Sequence, residues 1–120
     1  MRLAALLLAP VVLAGCTYNV RIRNDFDQPL TARLIQTDGL MKDWTLAEKR
    51  VDPGETVQLG PARTMSPSTR VEIDPSHSER LDKVRQAVRP GDSAFCVGVE
   101  ARSDRSLLIL RSARWGDLTP

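Results

Sequence analysis

Residues Tyr18 to Arg23 read YNVRIR, and the alternation in this stretch decides the fold class. Apolar side chains alternate with polar ones, which is the period-two pattern of a β-strand with one buried face. Comparable short runs follow along the chain at LTARL (30–34), WTLAEKRV (44–51), TVQLG (56–60), TRVEI (69–73) and SLLIL (106–110). The last run is continuously apolar, which predicts a central strand.

Turn formers separate these runs. NDFDQP (24–29) follows the first strand and predicts a hairpin to the second. Val-x-Pro-Gly occurs twice, in VDPG (51–54) and VRPG (88–91). Proline presets φ and glycine accepts a positive φ, so both are turns. The repeat indicates either a duplicated structural unit or two common hairpin turns, and we favour the turns.

Short strands spaced eight to twelve residues apart predict an all-β fold, an antiparallel β-sandwich of about seven strands. Immunoglobulin-like and transthyretin-like topologies both stay open, because the Cys-Trp-Cys and tyrosine-corner marks of true immunoglobulin domains are missing. Segment 78–88 is ambiguous. Leu81, Val84 and Val88 suit one short helix, whereas a strand would mirror the first Pro-Gly turn. A short helix or loop leading into a strand is the favoured interpretation.

The amino-terminal segment carries a different signal. Arg2 precedes thirteen uncharged residues, Leu3 to Gly15. This run is too short to cross a bilayer core, which requires ~20 apolar residues. A positive start, a short apolar region and a small-residue exit are typical of a secretory signal.

That segment ends in Leu13-Ala14-Gly15-Cys16, which resembles the lipobox of bacterial lipoproteins. The resemblance implies a diacylglycerol on the Cys16 thiol, cleavage between Gly15 and Cys16, and acylation of the new amino terminus. We therefore expect a signal peptide at 1–15 and a single lipid-anchored domain at 16–120. Two or three acyl chains would hold this domain on a membrane, because each buried methylene is worth ~0.8 kcal/mol.

The residue after Cys16 is Thr17 rather than aspartate, which resembles the pattern of lipoproteins sorted to the outer membrane. The expected location is therefore the outer membrane, facing the periplasm. Because only Thr17 separates the acylated residue from the first strand, Tyr18, Arg21 and Arg23 are candidates for headgroup contact. The alternative is that Tyr18 belongs to the core and the arginines face water.

Charge and chemistry exclude several classes of function. Lys and Arg number 17 and Asp and Glu 15, without a basic block, so nucleic-acid binding is not expected. His77 is adjacent in sequence to its serines, whereas catalytic triads combine separated segments. A blue-copper site needs two histidines. Copper(I) bound by Met41, Met65 and Cys96 is the remaining metal hypothesis, and we expect no catalytic site, metal or cofactor.

Cys96 lies in SAFCVGVEA, and the apolar stretch predicts a buried, inert thiol, with intermolecular pairing and a ligand or redox role as the alternatives. Taken together, these patterns predict a lipid-anchored, non-enzymatic envelope protein with a binding or structural role at the membrane surface. Its expected partners are the membrane, through acyl chains on Cys16, and an envelope protein. The alternatives are a small lipoprotein subunit of an envelope secretion or transport complex, and a metal-handling lipoprotein.

Overall fold

The computed structural model describes residues 16–37, 42–64, 68–76, 81–101 and 106–118. They form eight strands and one 3₁₀ turn: β1 (Cys16–Asn24), β2 (Leu30–Thr37), β3 (Asp43–Val51), β4 (Thr56–Thr64), β5 (Thr69–Asp74), β6 (Val84–Ala87), β7 (Gly91–Ala101), β8 (Ser106–Ala113) and the turn Trp115–Leu118. Within these ranges, no helix combines the length and apolar character needed to cross a membrane.

The strands form two sheets of four. The first sheet has the order β4-β1-β7-β8, and the second has the order β3-β2-β5-β6. β1 and β7 run parallel, and the other neighbours are antiparallel. The predicted all-β sandwich is confirmed, with eight strands rather than about seven. An immunoglobulin domain places its second and third strands in opposite sheets, but here β2 and β3 are neighbours in one sheet, so the strand order is not that of an immunoglobulin domain.

The connections differ from those predicted. NDFDQP joins β1 to β2, which lie in different sheets, so the predicted first hairpin is wrong. Both Val-x-Pro-Gly turns also lead from the second sheet to the first, between β3 and β4 and between β6 and β7. Their glycines, Gly54 and Gly91, have φ of 78° and 107°, as such turns require. The turns are therefore sheet-to-sheet corners rather than hairpins, because a turn sequence does not specify the partner strand.

Two segments, 78–88 and SLLIL, could not be assigned to their places in the sheets from sequence alone. In segment 78–88, residues 78–80 lie outside the described ranges, and Val84–Ala87 form β6, paired antiparallel with β5. Residues 81–83 are a loop that leads into this strand, as the favoured interpretation allowed, and no helix occurs within 81–88. SLLIL lies in β8, which is the edge strand of the first sheet rather than a central strand. Its apolar side chains consequently divide between the two faces.

The core lies between the inner faces of the two sheets. The alternation that predicted β1 is confirmed, because every second side chain of that strand is fully buried. The fully buried core includes Tyr18, Val20, Ile22, Leu34, Val51, Leu59, Val71, Ile73 and Val97. Each buried aliphatic side chain contributes roughly 1.5–3 kcal/mol relative to exposure.

One polar side chain, that of Asn24, is buried at the end of β1. Its Nδ2 donates to the carbonyl oxygens of Gln28 and Val51 at 2.8 and 3.0 Å. Its Oδ1 accepts a hydrogen bond from the Phe26 N–H at 2.8 Å. Asn24 thus ties the β1–β2 connection to the last residue of β3.

A register irregularity in the β1–β4 ladder lies beside Gly60, whose φ is 104°. A Cβ at this position would lie 2.6 Å from the Tyr18 carbonyl oxygen and 2.9 Å from the Ala62 nitrogen. The backbone of β1 therefore approaches too closely for any residue but glycine.

Candidate functional site

Cys16, the predicted lipid attachment residue, is the first residue of β1 and pairs with Thr64, the last residue of β4. The parallel strand β7 begins at Gly91, opposite Tyr18. We call this end of the sandwich the anchor end, and the opposite end, where β1 finishes at Asn24, the far end. Cys16 is itself part of β1, so the predicted attachment residue belongs to the first strand of the sandwich.

The three residues predicted to contact headgroups do not lie on one surface of the structure. Tyr18 is fully buried, so its ring belongs to the core and the core alternative describes it. Arg21 and Arg23 lie on the outer face of the first sheet, where both line a groove of about 590 Å³ together with Leu118. Arg23 also makes a two-pronged contact with Asp25, at 2.8 and 3.0 Å. The two arginines share one surface, and Tyr18 does not.

The distance from Cys16 along β1 limits how Arg21 and Arg23 could contact the headgroups. Arg23 pairs with Thr56, whereas Cys16 pairs with Thr64 at the other end of the same ladder. At 3.2–3.4 Å per residue, Arg23 lies about 23 Å from Cys16. Headgroup contact by Arg21 and Arg23 stays a prediction, and it requires the outer face of the first sheet, rather than the anchor end, to face the lipid.

The outer face of the second sheet carries a charged cluster, centred on Glu72. The Glu72 side chain is only 6% exposed, and its carboxylate lies 3.0 Å from Arg85 Nε, 3.5 Å from Arg33 Nη1 and 3.6 Å from Lys83 Nζ. Arg33 also reaches Glu48 and Asp74, at 2.6 and 3.1 Å. We call this the Glu72 cluster: Arg33, Asp43, Glu48, Arg70, Glu72, Asp74, Lys83 and Arg85.

Two carboxyl groups of the cluster have shifted pKa values. Burial raises the pKa of Glu72, but the hydrogen bond from Arg85 and the nearby charges of Lys83 and Arg33 outweigh it, so the pKa lies below its usual value. Hydrogen bonds from Arg70 and Thr37 likewise lower the pKa of Asp43. Both groups are therefore fixed as carboxylates at neutral pH and are unsuited to proton transfer.

The Glu72 cluster contains four cations and four anions, so it neutralises itself. Cross-strand pairs of opposite charge stabilise strand register. Arg33 on β2, Glu72 on β5 and Arg85 on β6 make such pairs across three strands. The Glu72 cluster thus stabilises the strand register of the second sheet. Sequence reasoning missed it, although the outward positions 70, 72 and 74 of TRVEID are all charged.

Cys96 is not part of the core. It is half-buried on the outer face of the first sheet, in register with Arg23 of β1 and Arg111 of β8. It lines a groove of about 350 Å³ with Gly98 and Ile109. The predicted burial is wrong because SAFCVGVEA contributes alternate residues to opposite faces, and Cys96 lies on the outward one, where it is only half-buried.

The structure does not test the hypothesis that Met41, Met65 and Cys96 bind copper(I). Met41, Met65 and His77 lie outside the described ranges. Among the residues that are described, no three His, Cys, Asp or Glu side chains are grouped to hold a metal ion.

Comparisons with known proteins add little. No family model matches this chain, and no curated protein matches it. One similar solved structure is the NMR structure of a protein from Eubacterium rectale, with a TM-score of 0.48 and 10% identity, covering 82% of this chain and 92% of that chain.

Proposed function

We propose that this chain is a lipid-anchored, non-enzymatic protein of the bacterial cell envelope, with a binding or structural role at the membrane surface. The observation that carries the proposal is the sequence Leu13-Ala14-Gly15-Cys16 directly after an apolar signal-like run. The start of β1 at Cys16 supports it, because an acyl group there would be attached to the domain without a linker. Thr17 at the next position favours the outer membrane, facing the periplasm.

Short tethering restricts the partners that such a domain could meet. Two extended residues cover only ~7 Å, so the sandwich would be held close to the headgroups. Proteins of the same membrane would therefore be met more often than distant ligands. We propose a lateral partner in the envelope.

The outer face of β7 and β8 supports a binding role. Ile109 and Leu107 are half-buried apolar residues on the outward face of the edge strand β8, beside Gly98 and Cys96. Apolar side chains on an outward face at a sheet edge are typical of surfaces that another protein covers. This face is our candidate for the partner contact.

A second candidate function is that of a small lipoprotein subunit in an envelope secretion or transport complex. The eight-stranded sandwich favours it, since small outer-membrane lipoproteins with transthyretin-like folds resemble this architecture. Cross-linking in native membranes distinguishes the candidates. A subunit should cross-link to several proteins of one complex, and Ile109→Glu should abolish these products while Lys49→Glu, on the exposed β3 edge, keeps them.

The anchor is tested by the intact mass of the full chain expressed in its bacterial host. We expect loss of residues 1–15, added acyl mass and partition into the detergent phase, all of which Cys16→Ser should abolish. Cys96→Ser is the matched control, because no lipobox precedes that cysteine, and it should be processed normally. A wild-type protein that retains Met1 in the native envelope would show that the proposal is wrong.

A further inference from the structure

We propose that the anchor end is itself a headgroup-binding surface, built on Trp44, Lys42, Arg63 and Arg89, which docks the sandwich end-on against an anionic leaflet. This inference rests on the proposed lipid anchor at Cys16. Its ligand is the phosphate of anionic membrane lipids.

Trp44 lies at the anchor end although it is distant from Cys16 in sequence. It pairs with Gln36 in the β2–β3 ladder, and Gln36 Oε1 accepts a hydrogen bond from the Thr64 hydroxyl. Thr64 in turn pairs with Cys16. Three short steps therefore connect the tryptophan to the attachment residue.

The exposure of Trp44 requires an explanation. Its side chain is 46% exposed, and it is the one exposed large apolar side chain among those whose burial the structure describes. Lys42 Nζ lies 5.8 Å from the centre of its ring. Tryptophan prefers the boundary between lipid and water, because its ring is apolar and its indole N–H is polar. A tryptophan with a lysine beside it suits a headgroup layer.

Two arginines extend this surface. Arg63 is exposed and pairs through the backbone with Thr17, the residue after the anchor. Arg89 is exposed and lies two residues before Gly91, where β7 begins opposite Tyr18. Basic side chains from β4, from the β2–β3 connection and from the β6–β7 connection thus lie at the end of the sandwich where β1 starts.

One carboxylate of this end, that of Asp43, lies against Arg70. Asp43 accepts hydrogen bonds from Arg70 at 2.7 Å and from the Thr37 hydroxyl at 2.9 Å. Asp43 therefore offsets the charge of Arg70. Among the side chains that the structure places, the exposed charge of the anchor end is positive.

The far end has the opposite character. Two of its connections, β1–β2 and β3–β4, expose four carboxylates, those of Asp25, Asp27, Asp52 and Glu55. Asp25 pairs with Arg23, and Asp52 pairs with Arg50. Among the side chains that the structure places, the anchor end is thus the more basic end and these two far-end connections are acidic. An anionic leaflet attracts the basic end and repels the acidic one, so this asymmetry favours an end-on orientation.

The test uses the lipidated full-length product reconstituted into vesicles of phosphatidylethanolamine with phosphatidylglycerol, and into vesicles of phosphatidylcholine alone. The signal of Trp44 is taken as the difference between wild type and Trp44→Phe. We expect Trp44 emission to shift to shorter wavelength and to be shielded severalfold from acrylamide in the anionic vesicles. High salt should reverse the shielding, because it screens surface charge.

Charge variants identify the surface. The triple variant Lys42→Gln/Arg63→Gln/Arg89→Gln should reduce the docked population by about a hundredfold, at about fivefold for each basic residue near an anionic surface. Arg21→Gln/Arg23→Gln is the matched control on the outer face of the first sheet and should leave Trp44 shielded. Circular dichroism establishes that each variant keeps its sheet content.

The outcomes separate this inference from the proposed function. A protein without acyl groups on Cys16 overturns both. An acylated protein whose Trp44 is equally accessible in anionic and neutral vesicles overturns end-on docking and leaves the anchor intact. Loss of shielding in the Arg21/Arg23 variant, but not in the triple variant, would also overturn it, because the outer face of the first sheet would then meet the lipid.

Discussion

Replacing Asn24 by alanine should lower the free energy of unfolding by about 3 kcal/mol, at ~1 kcal/mol for each of its three side-chain hydrogen bonds. The Val51 carbonyl lies at a buried residue and would lose its partner without gaining water. The groups at Phe26 and Gln28 are nearer the surface and would recover part of their loss. Such a change is a large share of the 5–15 kcal/mol that stabilises a typical domain.

The assay is urea unfolding of residues 16–120 with Cys16→Ser, followed by circular dichroism. With a slope of about 1.5 kcal/mol per molar urea, the midpoint should fall by about 2 M. Asn24→Asp keeps the side-chain volume but replaces the amide donor by an oxygen facing two carbonyls. It should be at least as destabilising as alanine at neutral pH.

Asn19 provides a matched control on the same strand. It is half-exposed, and its Oδ1 accepts a hydrogen bond from Gln58 Nε2 at 2.7 Å. Asn19→Ala should cost less than about 1 kcal/mol, because water can replace the lost partner. If Asn24→Ala unfolds within 0.3 M urea of wild type, or if Asn24→Asp is as stable as wild type, the reasoning about buried hydrogen bonds is refuted.

Three further outcomes are expected. In the folded protein the pKa of Glu72 lies below its ordinary value of 4.5. The Glu72 carboxylate therefore contributes to stability above pH 4.5, and this contribution is lost as the pH falls through the lower pKa of the folded protein. Glu72→Gln should therefore flatten the decline of the urea midpoint between about pH 5 and pH 3, and an unchanged decline would contradict this. Gly60→Ala should destabilise by about 2–4 kcal/mol, because a positive φ and a backbone clash coincide there. Gly54→Ala, with open space around its Cβ position, should cost about 1 kcal/mol, and equal losses would argue against the clash. Cys96 should react with a small maleimide in the folded protein, because its side chain is half-buried on an outer face. Labelling only after unfolding would show that the thiol is buried in the core.

The face that each strand buries could be predicted from sequence. Tyr18 and Val20 point inward because alternation in an extended chain fixes the two faces without reference to any partner. The neighbours of each strand could not be predicted this way. NDFDQP is as compatible with a corner between sheets as with a hairpin, and the choice depends on contacts with distant strands.

The candidate surfaces were harder to foresee for the same reason. Glu72 is surrounded by side chains from β2, from β6 and from the segment before it, so its burial depends on strand order. Asn24 begins the turn-forming segment NDFDQP, and nothing in that segment indicates that its side chain is fully buried. The predicted lipobox at Leu13–Cys16 is different, because a peptidase and an acyltransferase would read it as a linear motif, without regard to strand order.

The parallel pairing of β1 with β7 has a mechanical consequence. β1 is held on both sides, by β4 from Cys16 to Arg23 and by β7 from Tyr18 to Asn24. A pull applied at Cys16 along the strand would load these bonds together in shear, since ladder hydrogen bonds lie across the strand direction. Peeling from an edge would instead break them one at a time. A domain attached through this strand would resist tension between its membrane and a bound partner until many bonds failed at once.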